Sequence, residues 1–381
     1  MDRGVSIAIS KFGMAYRAMY SPPSAVTSVL DRIRDCRTES MGGRIATCPQ
    51  CGSIRIEYNS CRDRHCPNCQ GYRRDAWIHD RREELLPVTY FHVVFTLPSA
   101  LDRVVIENKR HAYASLFRAA WDTVNAFASG AGIKAGMTAV LHTWGSSLTF
   151  HPHLHCIVPG GGADLNDGRW RNLPVVSSDN GRSPFLFPVR AMSEMFRAKY
   201  MAELSEAVEI SQSVRSRCFE NAWTVYTRPS ATGEDSVLEY LARYAYRVAI
   251  SNARISGVTD DTVSFTYKDY ADGGKVKEMT LGGVEFVRRY AQHILPAHFV
   301  RIRHFGFLAP GNRDLLIRLQ RECGMTPVRK HRRRVTPAAL YGESGWWHWN
   351  DCSECGAHNV LVFLPIEPRG RAPSHADKQS A

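Results

Sequence analysis

Three histidines fall within five residues of the segment His151-Pro-His-Leu-His-Cys-Ile-Val-Pro159. The second half of this segment is apolar and a run of glycines follows it, which is typical of a buried strand that ends in a turn. Side chains two residues apart on a strand point to the same face, so His153 and His155 would lie side by side while Leu154 packs behind them. The segment therefore predicts a metal site on a strand. His151 shares that face, so spacing alone does not select the binding pair, and a buried strand with incidental histidines is the alternative.

A second pattern consists of cysteine pairs. Cys48 and Cys51 are followed, after fourteen residues, by Cys66 and Cys69. Two Cys-x-x-Cys pairs at this spacing predict four thiolates around one zinc ion, whose binding energy stabilises a small, loop-rich domain. The ligand set stays open because further donors lie nearby, and a second metal is an alternative; these donors are Cys36, Cys61 and His65.

Another pair, Cys352 and Cys355, has the spacing of half a zinc site and no visible second half. The chain has eleven cysteines, and in a large intracellular protein such cysteines indicate metal binding more than disulfides. No apolar run reaches the length of a membrane span and no signal peptide is visible, so we expect a cytoplasmic protein without a membrane partner.

The charge balance favours a polyanionic partner. Lys and Arg number 49 against 37 Asp and Glu, which leaves a net charge of +12. Nucleic acid is the simplest such partner, because its phosphates provide affinity that does not depend on sequence. Arg62 and Arg64 lie within the cysteine-rich segment and are candidate phosphate ligands, with a solvated basic face as the alternative.

The order of elements predicts an α+β fold. Residues 88–97 are rich in β-branched and aromatic residues, residues 101–128 have helical periodicity, and residues 137–144 form another strand before the histidine segment. A strand, a helix and two adjacent strands indicate an antiparallel sheet with flanking helices. We expect three consecutive domains, namely a zinc-binding domain over 1–86, a catalytic domain over 87–310 and a basic C-terminal region over 311–381.

Two tyrosines lie one turn apart on a predicted helix that begins at Ser236. Tyr240 and Tyr244 are separated by roughly 40° around the helix axis, on the flank of its apolar stripe. Arg243 and Arg247 are adjacent to them in the sequence. The phenols could attack a phosphate group that the two guanidinium groups hold. Tyrosines at the edge of an apolar core are the alternative.

Together these segments resemble the IS91 family, the rolling-circle insertion-sequence transposases of the HUH (His-hydrophobic-His) endonuclease class. The resemblance covers most of the chain. Its motifs are Ser60-Cys-Arg-Asp-Arg-His-Cys-Pro-Asn-Cys69, Tyr90-Phe-His-Val-Val-Phe-Thr-Leu-Pro98, Leu141-His-Thr-Trp-Gly145, the histidine strand through Gly162, and Tyr240-Leu-Ala-Arg-Tyr244 up to Ile255.

The resemblance implies an HUH-type sheet after a small zinc-binding domain, with His153 and His155 as the metal pair and Tyr240 and Tyr244 as nucleophile positions. One or both tyrosines would form a 5′-phosphotyrosine with single-stranded DNA at the element ends and then transfer the strand to target DNA. We expect structural Zn²⁺ and a catalytic Mg²⁺ or Mn²⁺ whose third ligand stays open; the candidates are His92, His142 and His151.

The sequence also leaves other functions open. A plasmid replication initiator or a conjugative relaxase would use the same nuclease chemistry. A non-catalytic zinc-anchored DNA-binding remnant is a further alternative. Members of the family often carry Gln after Trp-Gly, where this chain has Ser146, so any role attached to that Gln is absent here.

Overall fold

The computed structural model describes residues 3–174, 186–229, 244–327, 336, 340, 350–358 and 360–368. The chain forms two compact units, and the α+β prediction is confirmed. Both units combine segments that are distant in sequence. The three consecutive domains over 1–86, 87–310 and 311–381 stay a prediction. Unit 1 comprises Met1–Ala76, Ile250–Ile294 and Arg333–Ala381, and unit 2 comprises Trp77–Ala249 and Leu295–Arg332.

The described chain contains both helices and strands from its N-terminal to its C-terminal part. The helices are α1 (Gly4–Tyr20), α2 (Ser24–Asp35), α3 (Gly71–Arg82), α4 (Asp102–Glu107), α5 (Lys109–Gly130), α6 (Val189–Ser205), α7 (Gln212–Glu220), α8 (Gly283–Gln292) and α9 (Arg313–Glu322). The strands are β1 (Gly43–Thr47), β2 (Ile54–Tyr58), β3 (Tyr90–Thr96), β4 (Ile133–Lys134), β5 (Gly136–Trp144), β6 (Phe150–Pro159), β7 (Gly161–Asp164), β8 (Trp170–Asn172), β9 (Val225–Pro229), β10 (Ile255–Val258), β11 (Thr262–Asp269), β12 (Lys275–Gly282), β13 (Ile302–Gly306) and β14 (Val362–Ile366).

Unit 2 is built on a five-stranded antiparallel sheet with the order β13-β5-β6-β3-β9. Residues alternate between its two faces, as they must in a pleated strand. One face is apolar and belongs to the same buried core as residues of α5 and α6. Phe91, Val93 and Phe95 of β3, with Leu154 and Cys156 of β6, are all fully buried on that face. The opposite face is therefore the one that can present polar side chains.

The glycine run after the histidine strand has two roles. It ends β6 as predicted, and its last two residues, Gly161 and Gly162, begin β7 of a second, three-stranded sheet with the order β4-β7-β8. A side chain at Gly161 would meet the backbone oxygen of Arg171, and one at Gly162 would meet that of Lys134. Only glycine allows the strands to approach this closely.

Unit 1 contains two further antiparallel sheets. The sheet β10-β11-β12 lies with α1, α2 and α8, and the ring of Phe12 fills the space that a side chain at Gly283 would need. The other sheet has the order β14-β1-β2. Its pairing joins Ala46 on β1 to Phe363 on β14, across more than three hundred residues of chain. This ladder explains why unit 1 is discontinuous in sequence.

Two helices, α6 and α7, follow one another between residues 189 and 220. Ser211 begins the second helix, because its hydroxyl oxygen accepts a hydrogen bond from the backbone nitrogen of Val214. Across the described part of the chain, no helix combines the length and the apolar character needed to span a lipid bilayer.

Candidate active site and cysteine clusters

The polar face of the unit 2 sheet carries four histidines from three neighbouring strands. The register places His142 of β5 directly opposite His153 of β6, and His155 opposite Val94 of β3. His92 of β3 lies diagonally across from His155 on the same face. Leu154 points into the core, as predicted, so the alternation of a single strand separates the packing side chain from the polar ones.

The histidine nitrogens converge as metal ligands would. The Nε2 atoms of His153 and His155 are 3.1 Å apart, close to the roughly 3 Å expected for two ligands that bind one ion at ~2.1 Å and at right angles. His142 offers a ring nitrogen within 4.8 Å of both. The candidates for a third ligand were His92, His142 and His151. Among the described residues, only His142 falls within this group.

Hydrogen bonds orient the imidazole rings. The Nδ1 atom of His153 is 2.7 Å from the carbonyl oxygen of His151, so it donates there and leaves the Nε2 lone pair free. The Nδ1 atom of His155 is 2.9 Å from Nε2 of His92, and either nitrogen can donate; when Nδ1 of His155 is the donor, its Nε2 lone pair is free. Partners of this kind fix the tautomer and the orientation of metal-binding histidines. His92 therefore contacts a proposed ligand without belonging to the ligand group.

All four rings are held in the neutral form. Burial lowers the pKa of His153 to about 4 and that of His92 to about 3. Burial also lowers the pKa of His142 and of His155 well below the usual value. Neighbouring cations add to this effect, namely Arg228 on His92, Arg247 on His142, His153 and His155, and Arg301 on His142. Neutral imidazoles have lone pairs for a cation, and arginines around them would attract an anion.

Tyr244 lies against the histidine group. Its ring centroid is 4.0 Å from that of His155 and 5.5 Å from that of His92. Its carbonyl oxygen accepts a hydrogen bond of 2.8 Å from Nε2 of His142. Tyr244, one of the two predicted nucleophile positions, is therefore next to the histidines. Tyr240 and Arg243 lie outside the described residues.

The chain leaves the helical conformation directly after Ala245. The side chain of Arg247 is exposed, and its carbonyl oxygen accepts a hydrogen bond from Nη1 of Arg301 at 3.4 Å. The guanidinium group of Arg301 also lies 5.6 Å from the ring centroid of Tyr246. Arg301 and Arg228 were not among the sequence candidates. For Arg228 the available signal was strand alternation, because Arg228 lies opposite His92 in the sheet register.

The four cysteines predicted to share one zinc ion are not together in the structure. Cys66 and Cys69 group with Cys36 and Cys61, the additional donors noted in the sequence. Cys48 and Cys51 group instead with Cys352 and Cys355. The partition follows from β-sheet pairing, because β14 aligns with β1 and carries the C-terminal pair with it. His65 stays outside both groups, and its Nδ1 atom is 2.8 Å from Oδ1 of Asp63.

The cluster Cys36-Cys61-Cys66-Cys69 fits zinc. The sulfur atom of Cys69 is 3.5 Å from that of Cys36 and 3.6 Å from that of Cys61; a tetrahedral site with Zn–S bonds of ~2.3 Å requires about 3.8 Å. Hydrogen bonds among these thiols lower the pKa of Cys36 to about 7 and that of Cys69 further, while they raise the pKa of Cys61 and Cys66. Four adjacent thiolates repel one another, and a bound cation removes that repulsion.

The two arginines of this segment differ in surroundings. Arg62 adopts a left-handed backbone conformation with φ of +53°. Its backbone amide donates to the sulfur of Cys69, and its side chain is exposed. Arg64 is partly buried, and that burial lowers the pKa of its guanidinium group. The segment therefore uses a backbone amide of Arg62 to support the cluster, while the Arg62 side chain stays accessible for a phosphate.

Two family models match parts of the chain. Residues 8–97 match a family described as "Transposase zinc-binding domain", and residues 136–314 match one described as "Putative transposase". The two matches define the class of protein as a transposase with an N-terminal zinc-binding domain. No solved structure matches the chain.

Two relatives extend the match across most of the chain. A Sinorhizobium fredii protein described as "Putative transposase y4qJ" is 42% identical over 324 residues, which is 80% of this chain and 79% of the relative. The "Transposase for insertion sequence element IS801" of Pseudomonas savastanoi pv. phaseolicola is 30% identical over 283 residues, 72% of this chain and 68% of the relative. The chain belongs to the IS91 family of transposases, and its substrate is DNA.

Proposed function

We propose that this transposase nicks single-stranded DNA at insertion-element ends through a 5′-phosphotyrosine and then carries out rolling-circle strand transfer. The observation that carries this proposal is the position of Tyr244, which contacts His155 through its ring and His142 through its carbonyl oxygen. A tyrosine packed against a group of neutral, convergent imidazoles is suited to covalent attack beside a metal ion.

The residues proposed to hold the divalent ion are His142, His153 and His155. Bound there, Mg²⁺ or Mn²⁺ would polarise the phosphate and neutralise the charge that develops in the transition state. Burial lowers the pKa of each of these imidazoles, so the ligand set is neutral. Mg²⁺ prefers oxygen ligands, whereas imidazole also suits transition metals, so we expect Mn²⁺ to be at least as effective.

The protein's own groups have separable roles. The phenol oxygen of Tyr244, or that of Tyr240, attacks the phosphorus, transferring its proton to a base, and a new P–O bond to tyrosine forms as the bond to the 3′ oxygen breaks. The 3′ oxygen takes up a proton and leaves as a hydroxyl. One phosphodiester replaces another, so strand transfer needs no ATP. Arg228, Arg247 and Arg301 surround the histidines and would bind the phosphate, together with Arg243 by its place in the sequence.

The test uses the full-length protein and single-stranded oligonucleotides that tile the DNA flanking its gene. With Mn²⁺ or Mg²⁺ present, we expect a covalent protein–DNA adduct on a denaturing gel. The variant of the required tyrosine, Tyr244→Phe or Tyr240→Phe, would lower adduct formation by about 10³-fold or more, because the nucleophile is gone. The double variant His153→Ala/His155→Ala would abolish the metal-dependent signal.

Tyr270→Phe is the matched control, because Tyr270 is an exposed tyrosine of unit 1 and its change leaves the proposed nucleophiles intact. An adduct that persists in the variant with both Tyr240 and Tyr244 changed to Phe would exclude the mechanism. Tight binding without an adduct on any strand would favour the non-catalytic remnant. Cleavage confined to a plasmid origin would favour a replication initiator or relaxase.

A further inference from the structure

Four cysteines from the two ends of the chain converge in unit 1, apart from the first cluster. The sulfur atoms of Cys48 and Cys355 are 3.8 Å apart, and those of Cys51 and Cys352 are 3.6 Å apart. All four sulfur atoms lie within 4.8 Å of one another. These separations exceed the ~2.05 Å of a disulfide and agree with the about 3.8 Å between ligands of a tetrahedral Zn–S site.

The two cysteine pairs have the same local structure. Each is a Cys-x-x-Cys-Gly turn whose glycine has positive φ, +70° at Gly52 and +72° at Gly356. In each turn the glycine nitrogen donates to the carbonyl oxygen of the first cysteine, and both distances are 2.9 Å. The nitrogen of each first cysteine also donates to the oxygen five residues later, again at 2.9 Å in both. Two matching turns that face each other aim four sulfur atoms at one point.

A neighbouring hydroxyl supports a charged sulfur at this point. The Oγ atom of Ser53 is 3.3 Å from Sγ of Cys352, so the serine of one turn can donate to the thiolate of the other. Hydrogen bonds of this kind stabilise metal-bound ligands. Ser53 thus links the N-terminal turn to the C-terminal cysteine pair.

Among the described residues, the buried hydrophobic members of this cluster are Ala46, Cys48, Cys352 and Leu361, with Ala357, Val360 and Phe363 partly buried against them. Small modules with a core of this size commonly add a disulfide or a metal. No disulfide joins these cysteines, so a metal ion is the group that would add to the free energy of the β1–β14 ladder. Four sulfur donors in tetrahedral separation select zinc rather than Mg²⁺ or Mn²⁺.

We propose that Cys48, Cys51, Cys352 and Cys355 bind a second structural zinc ion that fastens the C-terminal strand β14 to β1. This site shares no ligand with the cluster of Cys36, Cys61, Cys66 and Cys69. Cys48 and Cys51 are then the other two ligands for the pair Cys352 and Cys355, which has no second pair nearby in the sequence. The inference is independent of the nicking mechanism, because it concerns unit 1 alone.

The first measurement is the zinc content of the purified full-length protein by elemental analysis. The background is His153→Ala/His155→Ala, so that the histidine site contributes no zinc. We expect two zinc ions per chain. Cys352→Ser/Cys355→Ser would lower this value to one, and Cys323→Ser, a change to a partly buried cysteine outside both clusters, would leave it at two. One zinc ion in the background protein, unchanged by Cys352→Ser/Cys355→Ser, would overturn the proposal.

A second measurement needs no cysteine variant and stays informative if that variant fails to fold. Cys51 and Cys355 are exposed, so as free thiols they would react readily with iodoacetamide. We expect both to be protected in the native protein and to react after zinc is removed with a chelator, as mass spectrometry of the modified peptides would show. Rapid modification of both in the zinc-loaded protein would refute the site.

Discussion

The histidine site of unit 2 and the cysteine clusters of unit 1 use two different ways to build a metal-binding group. The histidines project from adjacent strands whose ladders and buried core already fix their positions. The cysteines lie on turns and loop segments, and the described residues around the second cluster form only a small apolar core. The histidine site should therefore keep its shape without metal and leave coordination positions open for a phosphate. The cysteine clusters should depend on metal for their fold, and they should leave no coordination position open.

The largest expected difference is in folding. Cys36→Ser/Cys69→Ser removes two thiolates of the first cluster, and structural zinc contributes on the order of 10 kcal/mol of binding free energy. We expect zinc loss and unfolding of unit 1, measured by elemental analysis and by denaturant unfolding followed with circular dichroism. Cys323→Ser is the control and should retain both zinc and stability. Retained zinc in the double variant would show that these cysteines are not ligands.

The next effect concerns the third ligand of the histidine site. His142→Ala should lower cleavage by about 10²-fold or more, because the ion contributes several kcal/mol to transition-state stabilisation. Its zinc content in the cysteine clusters should stay unchanged. His151→Ala is the comparison, since the ring of His151 is exposed and lies outside the ligand group. A larger loss in His151→Ala than in His142→Ala would reverse the assignment.

The smallest effect separates a ligand from the residue that orients it. His92→Phe removes the hydrogen bond to Nδ1 of His155, and the loss of such a partner costs about 10–100-fold in metal affinity or activity. We expect weaker apparent Mn²⁺ affinity in the cleavage reaction, with rates that recover at high Mn²⁺ concentration. His92→Gln can still form a hydrogen bond and should restore part of the affinity. Equal loss in both variants at every Mn²⁺ concentration would contradict an orienting role.

The sequence predicts the placement of the histidines on β6 because that information is local. Period-two alternation places His153 and His155 on one face and Leu154 on the other, and one strand is enough for that conclusion. The third candidate ligand depends on strand register. His142 lies opposite His153 only because β5 and β6 pair as they do, and spacing along the chain does not specify that pairing.

The cysteine pairs show the opposite case. Fourteen residues between Cys51 and Cys66 favour one shared zinc ion, yet Cys51 lies beside Cys352, at a sequence separation of 301 residues. The turn chemistry of each pair is visible in the sequence, including the glycine after Cys51 and after Cys355. The sequence does not show which other pair each one meets, because β14 and β1 pair only in the folded chain. The same pairing brings two distant segments of the chain into one unit.

The separation of Cys51 from Cys352 has a consequence for the synthesis of the protein. A ribosome that adds roughly 5–20 residues per second would release the N-terminal pair about 15–60 s before the C-terminal pair. During that interval Cys48 and Cys51 can offer zinc only half of a ligand set. The transposase would then complete its zinc-binding unit only when translation is almost finished, so a chain that terminates early would carry an unfinished N-terminal unit.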